Sequence, residues 1–203
     1  MKKIDHINAT YIRNRVKLIL DNKLRPHDPW LTRSSINVLE SILRHTDVAV
    51  EFGSGRSTKW IAQRVQRLIS IETDRNWFVH VADECAAHID QGTLKILHIE
   101  EEQAQNEFIM SIQDETVDLC LVDGHWRDTC ALNMLPKIKK GGVIVVDNIN
   151  LYIPCEFSVS PYTRRPDDGC ASHVWSEFLD HVSEYRCIWT SNGVTDTAIW
   201  FKF

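Results

Sequence analysis

The sequence predicts an α/β fold: a doubly wound sheet that is parallel through five strands and ends in an antiparallel pair. Three observations lead there. Short runs of branched apolar residues, such as VAVEF at 48–52 and VDLCLVD at 117–123, alternate with longer stretches of helical period, the pattern of parallel strands covered on both faces. The turn GSG at 53–55 follows the first of these runs and opens a helix, a place where bare backbone N–H groups can meet a ligand. Two last apolar runs, YRCIWT and TDTAIWFKF, flank Ser191-Asn192-Gly193, and Asn-Gly is a strong hairpin signal because both residues tolerate positive φ.

The elements follow in order. Helical period predicts helices over 9–22 and 32–45, separated by LRPHDPWLT, whose Pro26 and Pro29 break the pattern. Residues 1–30 read as an N-terminal helical extension and 31–203 as the main domain. After VAVEF a helix is expected from Ser57 to Val65, then the strand LISIE at 68–72 and a helix over Trp77–Ala87. LKILHI at 94–99 is the third strand, followed by a helix over Glu102–Ile112. VDLCLVD is the fourth, with a helix over 128–139, and Gly141-Gly142 introduce the fifth, VIVVDN. From Leu151 to Ala171 the period is lost in a Pro-, Ser- and Asp-rich loop, and structureless loops beyond about 15 residues are uncommon unless they work. A helix over Ser172–Val182 then precedes the hairpin. Trp60, Trp77, Trp189 and Trp200 fall at core positions of these elements.

Composition excludes several classes. At 203 residues the chain holds one substantial domain. A net charge of −5 provides no electrostatic footprint for nucleic acid, which calls for clustered Lys and Arg in excess. Charged and polar residues interrupt the first 20 positions, and nowhere do about 18 apolar residues run together, so a soluble cytoplasmic protein with no membrane partner is expected. Six cysteines, at 85, 120, 130, 155, 170 and 187, include no C-x-x-C pair, which favours reduced thiols over disulfides or structural zinc.

EFGSGRST at 51–58 comes close to the dinucleotide fingerprint G-x-G-x-x-G, with Gly53 and Gly55 in place and Thr58 where the third glycine belongs. The acids around it narrow the ligand. Glu51 stands at the end of the first strand, where a dinucleotide site has an apolar residue and where a carboxylate can receive an ammonium. Glu72 ends the second strand 19 residues after Gly53, where an acid accepts hydrogen bonds from ribose hydroxyls. A ligand with a ribose and an ammonium but no pyrophosphate fits both, and S-adenosylmethionine is one. The bland alternatives are that Glu51 pairs with Arg56 or Lys59, that Glu72 caps the next helix, and that the glycines serve an ordinary turn.

VAVEFGSGRSTKWIAQRV, LISIETD, VDLCLVDGHW and LPKIKKGGVIVVDN, in this order, resemble the class I S-adenosylmethionine-dependent methyltransferases, over about residues 30–203. The resemblance implies a Rossmann-like sheet with the terminal antiparallel hairpin. It implies cofactor contacts from Glu51, Gly53, Ser54 and Gly55 around the methionine part and from Glu72, with Thr73 beside it, at the ribose. Ser57 and Thr58 stand at the first helical turn, where a hydroxyl caps free N–H groups or meets the cofactor carboxylate. Glu100 falls where the family contacts adenine, inside the charge run EEE that reads equally as a solvated surface. Asp123 matches the residue beside the transferred methyl.

Methyl transfer is an in-line displacement, so the enzyme supplies alignment and a route for the acceptor's proton. DGHWRD at 123–128 offers such groups, with His125 as the leading general base because imidazole titrates near neutrality. His173 is a weaker candidate, and a plain surface or cofactor contact is the alternative for His125. Asp123, Asp147 and Asn148 also resemble the Asp, Asp-Asn set that holds a divalent cation in catechol-type O-methyltransferases; three such oxygen ligands would suit Mg2+. The departure is that those enzymes place a lysine close behind the first Asp, whereas Gly124, His125 and Trp126 precede Arg127 here. Trp30 and Trp126 are candidates for a pocket wall or for packing, and PWLT at 29–32 for a lid. The expectation is methyl transfer to a small-molecule hydroxyl; an Asn-Pro-Pro-Tyr-like clamp for amino groups is absent from the sequence. The alternatives are an NAD-dependent oxidoreductase, for which too little chain follows the fifth strand, and a catalytically silent cofactor-binding protein.

Overall fold

The computed structural model describes residues 9–203, so the first eight residues of the expected extension lie outside it. Two helices, α1 (Ala9–Leu24) and α2 (Arg33–Ile42), precede strand β1 (Val48–Phe52). Next come α3 (Arg56–Ala62), β2 (Arg67–Glu72), α4 (Arg75–Glu84), α5 (Ala86–Asp90), β3 (Leu94–His98), α6 (Glu102–Ser111) and β4 (Val117–Val122). The chain continues through α7 (Arg127–Met134), β5 (Ile138–Asp147), α8 (His173–His181), β6 (Arg186–Ser191) and β7 (Asp196–Phe201). The seven strands form one sheet in the order β3-β2-β1-β4-β5-β7-β6. Pairings are parallel from β3 to β5 and antiparallel at β5–β7 and β6–β7, the Rossmann-like doubly wound arrangement with its closing hairpin.

The period of two along each strand divides the core between the two faces of the sheet. Val50, Phe52, Val122 and Val146 pack with Trp175, Phe178 and Trp200 on one face. Ala49, Leu121 and Val145 pack with Leu39, Trp60 and Ile61 on the other. Phe178 meets Trp175 and Trp200 edge-on, with ring centroids 5.5 and 5.1 Å apart, the favoured aromatic geometry. Glu51 shares parity with Ala49, so the fold drives a carboxylate into the apolar side of β1; it is fully buried. Because the chain leaves β1 toward β3 and returns to β4 on β1's other flank, the C-terminal ends of β1 and β4 open a crevice.

Four details differ from the sequence reading. The helix expected over 77–87 is two, α4 and α5, because Cys85 leaves helical geometry at φ −107°, ψ 11°. The helix expected over 128–139 ends at Met134, and Pro136 sits in a short 3-10 turn, 135–137, since proline offers no N–H for the α-helical ladder. β5 therefore begins at Ile138, and its register on β4 jumps from Val117↔Ile138 to Leu119↔Val143. The hairpin loop is four residues, 192–195, because Ser191 still pairs with Asp196. Only Gly193 takes positive φ, at 77°, while the Asn192 side-chain oxygen accepts from the N–H groups of Val194 and Thr195, both at 2.9 Å.

The long loop has little regular structure but is tied down. Cys155 N–H donates to Arg164 O and Arg164 N–H to Asn150 O, each at 3.0 Å. Ser160 Oγ donates to Asp196 at 2.5 Å, which pins the loop to the hairpin. No described helix is long and apolar enough to cross a membrane.

Candidate active site

At the end of β1 two backbone turns abut. Gly53 takes φ 92°, and a Cβ there would lie 2.6 Å from Gly124 N, so both positive φ and close approach require glycine. Asp123 N–H donates to Phe52 O at 2.8 Å, which fixes the turn after β4 to β1, and Gly53 N–H donates to Ile71 O at 2.8 Å, which fixes the turn after β1 to β2. Gly55 differs: a Cβ there would meet nothing within 4 Å, and the residue lines a cleft of about 530 Å³. Ser54 and Ser57 line the same cleft.

Behind this turn lies Glu51. Its Oε2 accepts from Thr58 and Ser70 hydroxyls, each at 2.6 Å, and Thr58 Oγ also accepts from Gly55 N–H at 2.8 Å. Its Oε1 has no hydrogen-bond partner among the described residues. Burial pushes the carboxyl up to about 7, against the pull of the neighbouring hydroxyls. Arg56 and Lys59, the ion-pair partners weighed above, take no part. Ser70 was not singled out from the sequence, although a serine inside the apolar run LISIE was the available signal.

Glu72 accepts from three backbone N–H groups, those of Ser54 at 3.0 Å, Thr73 at 2.7 Å and Asp74 at 2.9 Å, and faces the cleft. It therefore ties the turn after β1 to the turn after β2. Thr73 Oγ donates to Glu72 at 3.4 Å and lies 2.8 Å from His125 Nδ1. The tautomer of His125 decides which of the two donates in this bond. His125 lines the cleft; Glu100 and His173 do not. Glu100 pairs with His98 Nε2 at 3.1 Å, on the exposed side of the β3 end, and His173 opens α8.

The remaining polar centre is built around Arg127, at the start of α7. Its Nε donates to Gly124 O at 2.9 Å, Nη1 to Asp147 O at 2.5 Å and Asn148 Oδ1 at 2.9 Å, and Nη2 to Asp123 O at 2.7 Å. Nη2 also pairs with Asp123 Oδ1 at 2.8 Å. Asp147 Oδ1 accepts from Thr197 Oγ at 2.5 Å, and Asn148 Nδ2 donates to Thr195 Oγ at 2.6 Å. Burial and then the Asp123 charge push the Asp147 carboxyl up to about 8. Burial also raises Asp123, with Arg127 opposing it. Trp126 and Asn148 both adopt left-handed backbone, φ 48° and 54°, uncommon for a bulky residue such as tryptophan.

The residues expected to hold Mg2+ do not fit it here. Asp123 and Asn148 direct an oxygen each at the Arg127 guanidinium, and Asp147 directs one at the Thr197 hydroxyl. In the sequence Gly124, His125 and Trp126 stand between Asp123 and Arg127. Asp123 follows β4 and Arg127 opens α7, so the pair closes across the turn between them.

Two tryptophans complete the cleft. Trp30 is 57% exposed and sits 5.1 Å from the Arg56 guanidinium, so the 29–32 segment reaches the rim. Trp77, expected in the core, is 39% exposed instead. Asp74 caps α4, which carries Trp77 over the glycine turn, where its indole N–H donates to Ser54 O at 2.7 Å. Trp126 packs against the core and does not line the cleft. Trp60 and Trp200 are buried as expected.

Residues 50–149, which contain every one of these turns, match the model of a family described as a methyltransferase domain. The chain carries a class I, S-adenosylmethionine-dependent methyltransferase domain. Solved structures share its fold. The O-methyltransferase TomG from Streptomyces achromogenes, involved in tomaymycin synthesis and solved with S-adenosylmethionine, is 18% identical, with a TM-score of 0.60 over 100% of each chain. An O-methyltransferase from Bacillus cereus, in complex with SAH, is 13% identical, with a TM-score of 0.60 over 94% of this chain and 91% of its own. An rRNA methylase from Streptococcus thermophilus is 9% identical, with a TM-score of 0.54 over 84% and 95%. At these identities the likeness speaks for the methyltransferase fold. No curated protein matches the sequence.

Proposed function

We propose that this methyltransferase domain methylates a hydroxyl oxygen of a small molecule, with His125 as the general base. The observation that carries the proposal is His125 on the wall of the cleft, with its Nδ1 2.8 Å from Thr73 Oγ beside Glu72. S-adenosylmethionine, when bound, supplies a methyl group activated on a sulfonium. The residues present suit it. Glu51 has a buried carboxylate oxygen without a partner, able to receive an ammonium through the turn. Gly55 leaves open space where a side chain would stand. Ser54, Ser57 and Glu72 present polar groups to the same cleft, while Gly53, Thr58 and Thr73 shape the turn and orient its neighbours.

His125 takes the acceptor proton at Nε2, and Thr73 keeps the ring in the tautomer that can do so. Asp123 is held by Arg127 at the cleft floor, where it orients the turn that carries His125. The named activity of the O-methyltransferase neighbours supports oxygen as acceptor, and the net charge of −5 supports a small molecule over a polyanion. All six cysteines are free thiols, which supports a reducing, cytoplasmic setting.

The test is turnover with S-adenosylmethionine against phenols, catechols, sugars and an rRNA fragment, with the methyl position read by mass spectrometry. The expected product carries an O-methyl group on a small molecule. His125→Ala is expected to lower kcat by roughly 10²- to 10⁴-fold with S-adenosylhomocysteine affinity unchanged. Undiminished turnover removes His125 from the base role, an N-methyl or RNA product overturns the acceptor, and cofactor binding without turnover on any acceptor makes the domain a silent binder.

A further inference from the structure

We propose that Arg127 is the resident cation of this cleft, standing where related enzymes hold a divalent metal, and that the domain works without one. A guanidinium has five N–H donors. Arg127 uses four of them, one on Gly124 O, two on Asp147 O and Asn148 Oδ1 and one on Asp123 O, and Nη2 also forms an ion pair with Asp123 Oδ1 at 2.8 Å. The planar fork thus spans the C-terminal ends of β4 and β5, and the Tyr152 ring lies 5.8 Å from its central carbon. The side chain is only 14% exposed.

A divalent ion would need Asp123, Asp147 and Asn148 oxygens in near-octahedral order at about 2 Å. Asp123 Oδ1 and Asn148 Oδ1 are committed to Arg127, and Asp147 Oδ1 to Thr197. Admitting the ion would expel the guanidinium and leave three backbone carbonyls unpaired, those of Asp123, Gly124 and Asp147. Arg127 turns its donors on the protein's own oxygens, so it is a positioning residue. It fixes the Gly124 carbonyl and with it the turn that presents His125.

The inference extends the proposed function to the same cleft, but its test needs no turnover, so each can fail without the other. Free Mn2+ is titrated with protein and followed by its EPR signal. Wild type is expected to leave the signal undiminished. Arg127→Ala is expected to bind Mn2+ at least about tenfold more tightly than wild type, because a like charge beside the oxygens is gone, and adding Asp123→Asn is expected to abolish that binding. Mn2+ binding by wild type that Asp123→Asn removes overturns the proposal. So does an Arg127→Ala protein with the wild-type circular dichroism and a cooperative melt that fails to bind. Should Arg127→Ala not fold, wild type and Asp123→Asn decide the question on their own.

Discussion

Replacing Glu51 by glutamine isolates the buried carboxylate. Glutamine keeps the volume and an oxygen for the Thr58 and Ser70 hydroxyls but cannot ionise. In the native protein burial raises Glu51 from 4.5 to about 7, so between those values the folded state holds a proton that the unfolded chain has released. The Glu51 contribution to stability therefore falls as pH rises from about 4.5 to 7 and then levels off. At about 1.4 kcal/mol per pKa unit, the 2.5-unit gap is worth about 3 kcal/mol. Urea unfolding of both proteins from pH 4.5 to 8 reads this directly. The Glu51→Gln protein is expected to gain on wild type by about 3 kcal/mol across the window, since Asp147, also raised, titrates in both and cancels in the difference. The variant is also expected to bind S-adenosylhomocysteine more weakly. A stability difference that does not change with pH would refute the reasoning, for it would mean that Glu51 is already ionised in the fold.

Thr73→Val is expected to lower kcat by roughly tenfold or more through loss of the His125 tautomer and to change the pH profile, while Thr73→Ser retains both; a rate profile identical to wild type in the valine variant would sever the link to His125. The two glycines separate fold from binding. Gly53→Ala meets backbone at 2.6 Å and is expected to cost about 2 kcal/mol or more in stability, whereas Gly55→Ala meets nothing and is expected to leave Tm unchanged while weakening S-adenosylhomocysteine binding, both read by thermal melts and calorimetry. Turnover by wild type is expected to survive EDTA and to gain nothing from added Mg2+; a rate restored by the ion after chelation would count against Arg127 as the cation.

The sheet was legible because parallel strands buried on both faces cannot hide among polar residues, and VAVEF, LISIE and VDLCLVD announce themselves by composition. Boundaries were less so where one residue acts through its own backbone: Cys85 divides a helix that period alone would join, and Pro136 stops one that hydrophobicity would extend. In the site, Glu51 and Glu72 could be placed because strand ends converge in this topology. Arg127 could not be assigned from pattern, since its partners come from two strands and meet only when β4 and β5 pair. Trp77 was misread for a related reason: its position on α4 is apolar by period, but the helix starts over a glycine turn that leaves the indole at the cleft.

The contact between Gly53 and Gly124 has a consequence for anyone redesigning this enzyme. The turn expected to carry the cofactor and the turn that carries the proposed base touch backbone to backbone, so neither can be moved without displacing the other. Acceptor range is better altered from the periphery, through Trp30 at the cleft rim, where a new shape can be built while donor and base keep their mutual alignment.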